Sequence, residues 1–270
     1  MTLRFIIKNF GKIESADISL SNLVVFVGNN NSGKTLVMQL IYGIRKELYN
    51  FLVPVSGIRK SDLNGQLLVR CDREWFTEVE SRVNEYLAEN KSRIIEDIFG
   101  IPISIGEIKV ALEGTESKYF VSSISECRNK GVGEQEKEIN IDTRQYENGE
   151  NIESFENKLV GCDGLDEAVN AALQIVWGII LSEKNSSNSG QLFLPASRSG
   201  LQLMYKHYFA GETEGNLVVP VKDFLRFLQL YSENGQLDES RRALLEFGEE
   251  HLLQGKVFQK GDETFYVEHH

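Results

Sequence analysis

A mixed α/β fold with an antiparallel β insertion and a helical lobe is what this sequence predicts, and three observations carry the prediction. The first is Leu23-Val24-Val25-Phe26-Val27, an apolar, β-branched run that reads as a strand buried on both faces. It leads into a glycine-containing turn and then into Leu36, Val37, Leu40, Ile41 and Ile44 at helical spacing. The second is a change of rhythm between Ile101 and Val160, where apolar residues alternate with polar ones between turn signals. The third is the return of helical periodicity beyond Gly200.

Taken in order, Leu3, Phe5 and Ile7 alternate with Arg4, Ile6 and Lys8. Asn9-Phe10-Gly11 then makes a turn, and Ile13, Ala16, Ile18 and Leu20 resume an extended rhythm. The turn after the next strand is Gly28-Asn29-Asn30-Asn31-Ser32-Gly33-Lys34-Thr35, a complete G-x-x-x-x-G-K-[ST] pattern. Its glycines let backbone N–H groups approach phosphates, and the helix N-terminus aims its partial positive charge at them. Lys34 supplies a point charge for the outer phosphates, and Thr35 a hydroxyl for Mg²⁺ carried by the nucleotide. The pattern alone arises by chance in roughly one or two chains per hundred of this length. The flanking strand and helix turn the match into a nucleotide site.

Farther on, Trp75, Val79, Val83, Tyr86 and Leu87 predict an amphipathic helix from about Arg73 to Phe99. In the stretch 101–160, Ile103, Ile105, Ile108, Val110 and Leu112, then Tyr119, Val121, Ile139 and Ile141, predict antiparallel strands, with Gly131 to Glu138 as a turn or a disordered stretch. Helix is expected again over Leu165 to Leu181, followed by a polar loop, Asn185 to Gly190. A short strand, Gln191 to Leu194, runs into Pro195-Ala196-Ser197-Arg198-Ser199-Gly200. Helical segments follow at Leu201 to Phe209, Val221 to Tyr231 and Ser240 to Leu253. A hairpin of Lys256 to Gln259 with Thr264 to Val267 turns around Gly261-Asp262.

Composition bounds the function. With 270 residues and 41% hydrophobic content the chain can bury one substantial core, or one core and a smaller lobe. No apolar run approaches the roughly 20 residues of a membrane span, and the N-terminus lacks a signal-peptide layout, so a soluble chain in the cytoplasm is expected. Cys71, Cys127 and Cys162 lie far apart without a C-x-x-C pair, which suits reduced thiols. The net charge of −11 argues against coating nucleic acid by bulk electrostatics. Arg45-Lys46 and Arg59-Lys60 are the nearest basic pairs, and such short pairs usually belong to solvated surface, so no role is given to them.

The opening Phe5-Ile6-Ile7-Lys8-Asn9-Phe10-Gly11-Lys12-Ile13, followed by the Gly28–Thr35 loop, resembles the ABC-type head ATPases. Within them it is most similar to the RecF, SMC and overcoming-lysogenization-defect branch, whose opening is shared by many prokaryotic AAA ATPases linked to phage defence. Asn31 stands where that branch often has Gly, and Asn tolerates a left-handed backbone. The resemblance implies ATP and Mg²⁺ as ligands and a homodimer formed around two nucleotides in the full-length protein, working with a partner nuclease or on DNA, away from membranes. It places the turn after the first strand near the base, where Phe10 and Lys12 stand, although a core position is the commoner fate of a residue like Phe10. It also places Arg198 at the loop that carries a Gln in similar heads. Arg198 either touches phosphate or a partner subunit, or caps a surface loop.

Such heads also need a serine-bearing signature loop and an apolar strand ending in Asp-Glu. No Asp-Glu strand is found: Pro220 interrupts Val218 to Asp223, and Leu244 to Glu250 reads as a helix end. The expectation is therefore an N-terminal portion of a longer ATPase, truncated before that strand. Its nucleotide-binding lobe covers 1–200 with the β-rich insertion around 101–160. Its helical lobe and hairpin cover 201–268, and His269-His270 read as a tag remnant. Catalytic residues are not assigned, and no turnover by this chain alone is expected. A nucleotide-gated switch with little or no hydrolysis is the alternative. A small-molecule kinase fits less well, because kinases of that class begin at or just before the loop strand.

Overall fold

A computed structural model describes residues 1–20, 24–63, 66–128, 137–160, 164–182, 217–234, 255–260 and 263–268. The N-terminal alternation forms β1 (Thr2–Phe10) and β2 (Ile13–Ser19), and Glu107–Glu113 forms a strand on the other side of β1. All pairings in this three-stranded sheet are antiparallel. Leu3, Phe5, Ile7 and Phe10 turn to the core and are fully buried. On the opposite face Arg4 reaches Asp17 at 2.6 Å and Glu113 at 3.2 Å, tying the central strand to both neighbours. Hydrogen bonds from Lys109 and Lys8 hold the Glu107 carboxyl down to about 2.

Helix α1 (Lys34–Tyr49) packs on helix α2 (Arg73–Phe99), which packs on this sheet through the strand Glu107–Glu113. Asp72 starts α2 as its N-cap, its carboxylate accepting from the Glu74 N–H. Gly100, at φ 70°, ends it with its N–H donated to the Glu96 carbonyl. The apolar spacing that predicts this helix is the face it buries: Trp75, Val79, Val83 and Leu87 are all in the core.

The second sheet has five antiparallel strands. With the strand Glu107–Glu113 taken as β5, they are β3 (Arg59–Leu63), β4 (Gln66–Cys71), β6 (Lys118–Arg128), β7 (Lys137–Glu147) and β8 (Glu150–Val160), in the order β3-β4-β6-β7-β8. Its inner face buries Val69, Cys71, Phe120, Ile124, Ile139 and Ile141. The two buried hydroxyls there, Ser122 and Thr143, stand opposite each other and satisfy one another at 2.9 Å. Helix α3 (Leu165–Ser182) packs on that face, and its Trp177 indole N–H donates to the Leu48 carbonyl of α1 at 2.8 Å.

Helix α4 (Val219–Asn234) has Pro220 in its first turn, where a missing N–H costs nothing. Its Asp223 accepts from Lys46 and Tyr42 of α1. Strands β9 (Gly255–Lys260) and β10 (Glu263–Glu268) form the terminal hairpin. Contacts divide the chain into two compact units. One holds β1 to β8, α1 to α3 and α4 up to Phe224, and the other holds the rest of α4 and the hairpin.

Three expectations need correction. The run Val24 to Val27 is not a strand buried on both faces: among the described residues it pairs with no strand, and Val25 and Val27 are 69% and 86% exposed. A strand of that kind needs hydrogen-bonding neighbours on its edges, and the three described sheets are built elsewhere. The β insertion is also not confined to 101–160. Residues 59–71 contribute its hairpin β3–β4, and β5 leaves it to pair with β1. Finally, Arg45 and Lys46 are structural, Arg45 donating to the Leu181 carbonyl and Lys46 pairing with Asp223 at 2.6 Å.

Candidate functional site

The Gly28–Thr35 loop is shaped by backbone angles that few residues accept. Gly28 stands at φ 147°, Asn31 at φ 64° and Gly33 at φ 90°. Asn31 thus adopts the left-handed conformation for which Asn is among the tolerant residues. Gly33 is bound by contact as well as by angle. A Cβ there would lie 3.0 Å from Ile13 Cγ1, so the start of β2 is pressed against the loop. Gly11 repeats the arrangement from the other side, since its Cβ would stand 3.2 Å from Leu36. The Asn9 to Lys12 turn is therefore seated on the first turn of α1. Composition alone gives no signal of that contact beyond the two glycines.

Helix α1 begins at Lys34 with no side-chain cap and no acidic residue in its first turn. Its leading N–H groups and its positive dipole end face the loop without a carboxylate to neutralise them, which is the arrangement an anionic phosphate requires. The Lys34 ammonium is folded onto the loop itself, donating to the carbonyls of Gly28 (2.8 Å) and Asn29 (2.6 Å) and to Ser32 Oγ (3.2 Å). Gly28, Asn29, Asn30, Asn31, Ser32 and Thr35 are all exposed. The residues present thus fit a polyphosphate: a glycine-shaped backbone leading into an uncapped helix N-terminus, an ammonium on the loop and an exposed hydroxyl. Thr35 is the residue that would hold a Mg²⁺ arriving with the phosphates, its exposed hydroxyl being free to serve as a ligand.

The residues expected at the base end separate. Phe10 is fully buried, its ring 5.7 Å from that of Phe99, and offers no open face for stacking. Lys12, in the same turn, is exposed. Arg198 lies outside the described residues.

A glycine loop opening onto an uncapped helix N-terminus, in a chain of mixed α/β content, is an arrangement suited to an anionic ligand. The family model of the AAA ATPase domain matches residues 1–190, and the chain belongs to that family. Membership carries ATP binding and the capacity for hydrolysis, typically with Mg²⁺. No curated protein and no solved structure matches the chain. Among the described residues no helix is long and apolar enough to cross a membrane.

Proposed function

We propose that this chain is the ATP-binding portion of an ABC-type ATPase head of the RecF, SMC and overcoming-lysogenization-defect branch. In the full-length protein that head dimerises on ATP and drives a DNA-repair or phage-defence process in the cytoplasm, through a partner nuclease or on DNA. The observation that carries the reading is the Gly28–Thr35 loop at the uncapped start of α1, with the β1–β2 turn packed onto it through Gly11 and Ile13.

In this reading the loop N–H groups and the helix N-terminus hold the phosphates. Lys34 exchanges the Gly28 and Asn29 carbonyls for phosphate oxygens, and Thr35 shares Mg²⁺ with them. Lys12 is the side chain available toward the base. Bound Mg²⁺ supplies charge neutralisation at the phosphates. Ground-state binding of this kind lowers no barrier by itself. With no Asp-Glu strand in the sequence, the chain alone binds Mg-ATP without turning it over.

Titration calorimetry with Mg-ATP and a steady-state phosphate-release assay, each run beside Lys34→Ala, test this. Heat of binding in the wild type that is lost in the variant supports the loop assignment, and equal affinity in both rejects it. Turnover that disappears in the variant would put a catalytic carboxylate within these residues and overturn the expectation of an incomplete site.

A further inference from the structure

A second recess, of about 820 Å³, opens where β3 and β4 meet the first turns of α2 and the turn between β5 and β6. Four cations line it: Arg59, Arg70, Arg73 and Lys118. Arg59 and Arg70 are cross-strand neighbours on the outer face of the five-stranded sheet, an arrangement that like charges disfavour. Asp72 holds them together, its Oδ2 lying 3.3 Å from Arg59 Nε and 3.4 Å from Arg70 Nε. Among the described residues neither guanidinium fork takes a side-chain hydrogen bond; that of Arg70 lies over the Tyr119 ring, and Arg70 Nε is a buried donor without a hydrogen-bond partner. Arg73 has no side-chain partner there either, and Lys118 reaches Glu147 only at 3.7 Å.

Four carboxylates share the recess, and they are unequally free. Asp72 is committed to two arginines and to the α2 cap, and Glu78 is turned to Arg82 and Ser56. Cations and carboxylates of the lining are equal in number, four against four, and what distinguishes the recess is that the guanidinium forks of Arg59 and Arg73 are engaged by no carboxylate among the described residues.

We propose that this recess binds the phosphate group of a phosphate-bearing ligand and reads the phosphate without the base. Planar guanidinium forks match phosphate oxygens in pairs, and Thr115 and Ser117 offer hydroxyls on the facing wall. Independence from the base follows from Tyr119. Arg70 covers one face of its ring at 4.0 Å, and Tyr146 stacks parallel on the other at 4.9 Å, leaving no face for a nucleobase. The site is separate from the Gly28–Thr35 loop and does not depend on it.

Two sources share this chemistry: a free polyphosphate and the phosphodiester backbone of a nucleic-acid strand. The test uses the full chain carrying Lys34→Ala, so that the loop does not compete, with inorganic pyrophosphate and a fluorescein-labelled thymidine dodecamer as probes. Calorimetry follows the first and anisotropy the second. At least one probe should bind, and Arg59→Gln with Arg73→Gln should weaken it by about tenfold or more while the thermal midpoint stays in place. For the single-stranded dodecamer each Arg removed should flatten the salt dependence by about 0.7 of a unit of slope. Pyrophosphate binding alone identifies a free polyphosphate, and dodecamer binding that pyrophosphate does not displace identifies the strand. Failure of both probes to bind, or equal binding by the double variant, overturns the proposal.

Discussion

Gly33 meets two demands that no other residue type meets together. Its φ of 90° lies where a Cβ is disfavoured by roughly 1–2 kcal/mol, and the Cβ would press on Ile13 at 3.0 Å. Gly33→Ala is therefore expected to shift the loop and turn the first α1 N–H groups away from the phosphates. It should lose Mg-ATP binding in calorimetry while far-ultraviolet circular dichroism stays native. Retained affinity would mean that the loop adapts and that its angles matter less than its charge. The conformational demand on Gly33 is legible in the sequence, because two glycines, Lys and Thr at fixed spacing mark a turn into a helix. Phe10 is not: the residue after Asn9 could face either the base or the core, and only packing against Phe99 decides it.

Elements were legible where one face is buried and the ends are marked. Helix α2 is the clearest case, with apolar residues every three or four positions and Asp72 and Gly100 as its stops. Strand β3 is not legible because an edge strand reading Arg-Lys-Ser-Asp-Leu carries almost no apolar alternation, and β4, Gln-Leu-Leu-Val-Arg-Cys, is too short an apolar run to be assigned without its partners. Strand β5 is legible as a strand but its pairing with β1 is not, since alternation records which face is buried and not which neighbour pairs. The contact between α1 and α2 was equally invisible. It depends on Gly43, where a Cβ would fall 2.4 Å from Ile98 Cδ1 and Cγ1. Helix propensity favours Ala at that site by about 1 kcal/mol, and overpacking opposes it by typically 1–3 kcal/mol. Because Ile98 is itself buried, the clash should win, and Gly43→Ala should lower the urea midpoint. An unchanged or higher midpoint would show that the helices can separate slightly without loss.

At the scale of the whole molecule, the contact division places the Gly28–Thr35 loop and both larger sheets in one unit. Val24 to Val27, read from its residues as a buried strand, is the place where sequence and structure part most widely. Its apolar content records a need for neighbours that the two antiparallel sheets do not supply. Ligand linkage tests the loop at this scale. A nucleotide that binds only the folded loop stabilises that unit by about 2.7 kcal/mol at a concentration near 100 times its Kd. For a unit of this size each kcal/mol raises the thermal midpoint by about 2–4 °C, so Mg-ATP should raise it by roughly 5–10 °C. Lys34→Ala should remove the shift and leave the ligand-free midpoint nearly unchanged. The hydrogen bonds lost with the ammonium are solvent-exposed and sit on the loop, so their removal is felt little by the core. Scanning calorimetry of both proteins, with and without Mg-ATP, measures this. A shift of the same size in Lys34→Ala would mean that the stabilising nucleotide is held elsewhere, and the assignment of phosphate binding to Gly28–Thr35 would fall.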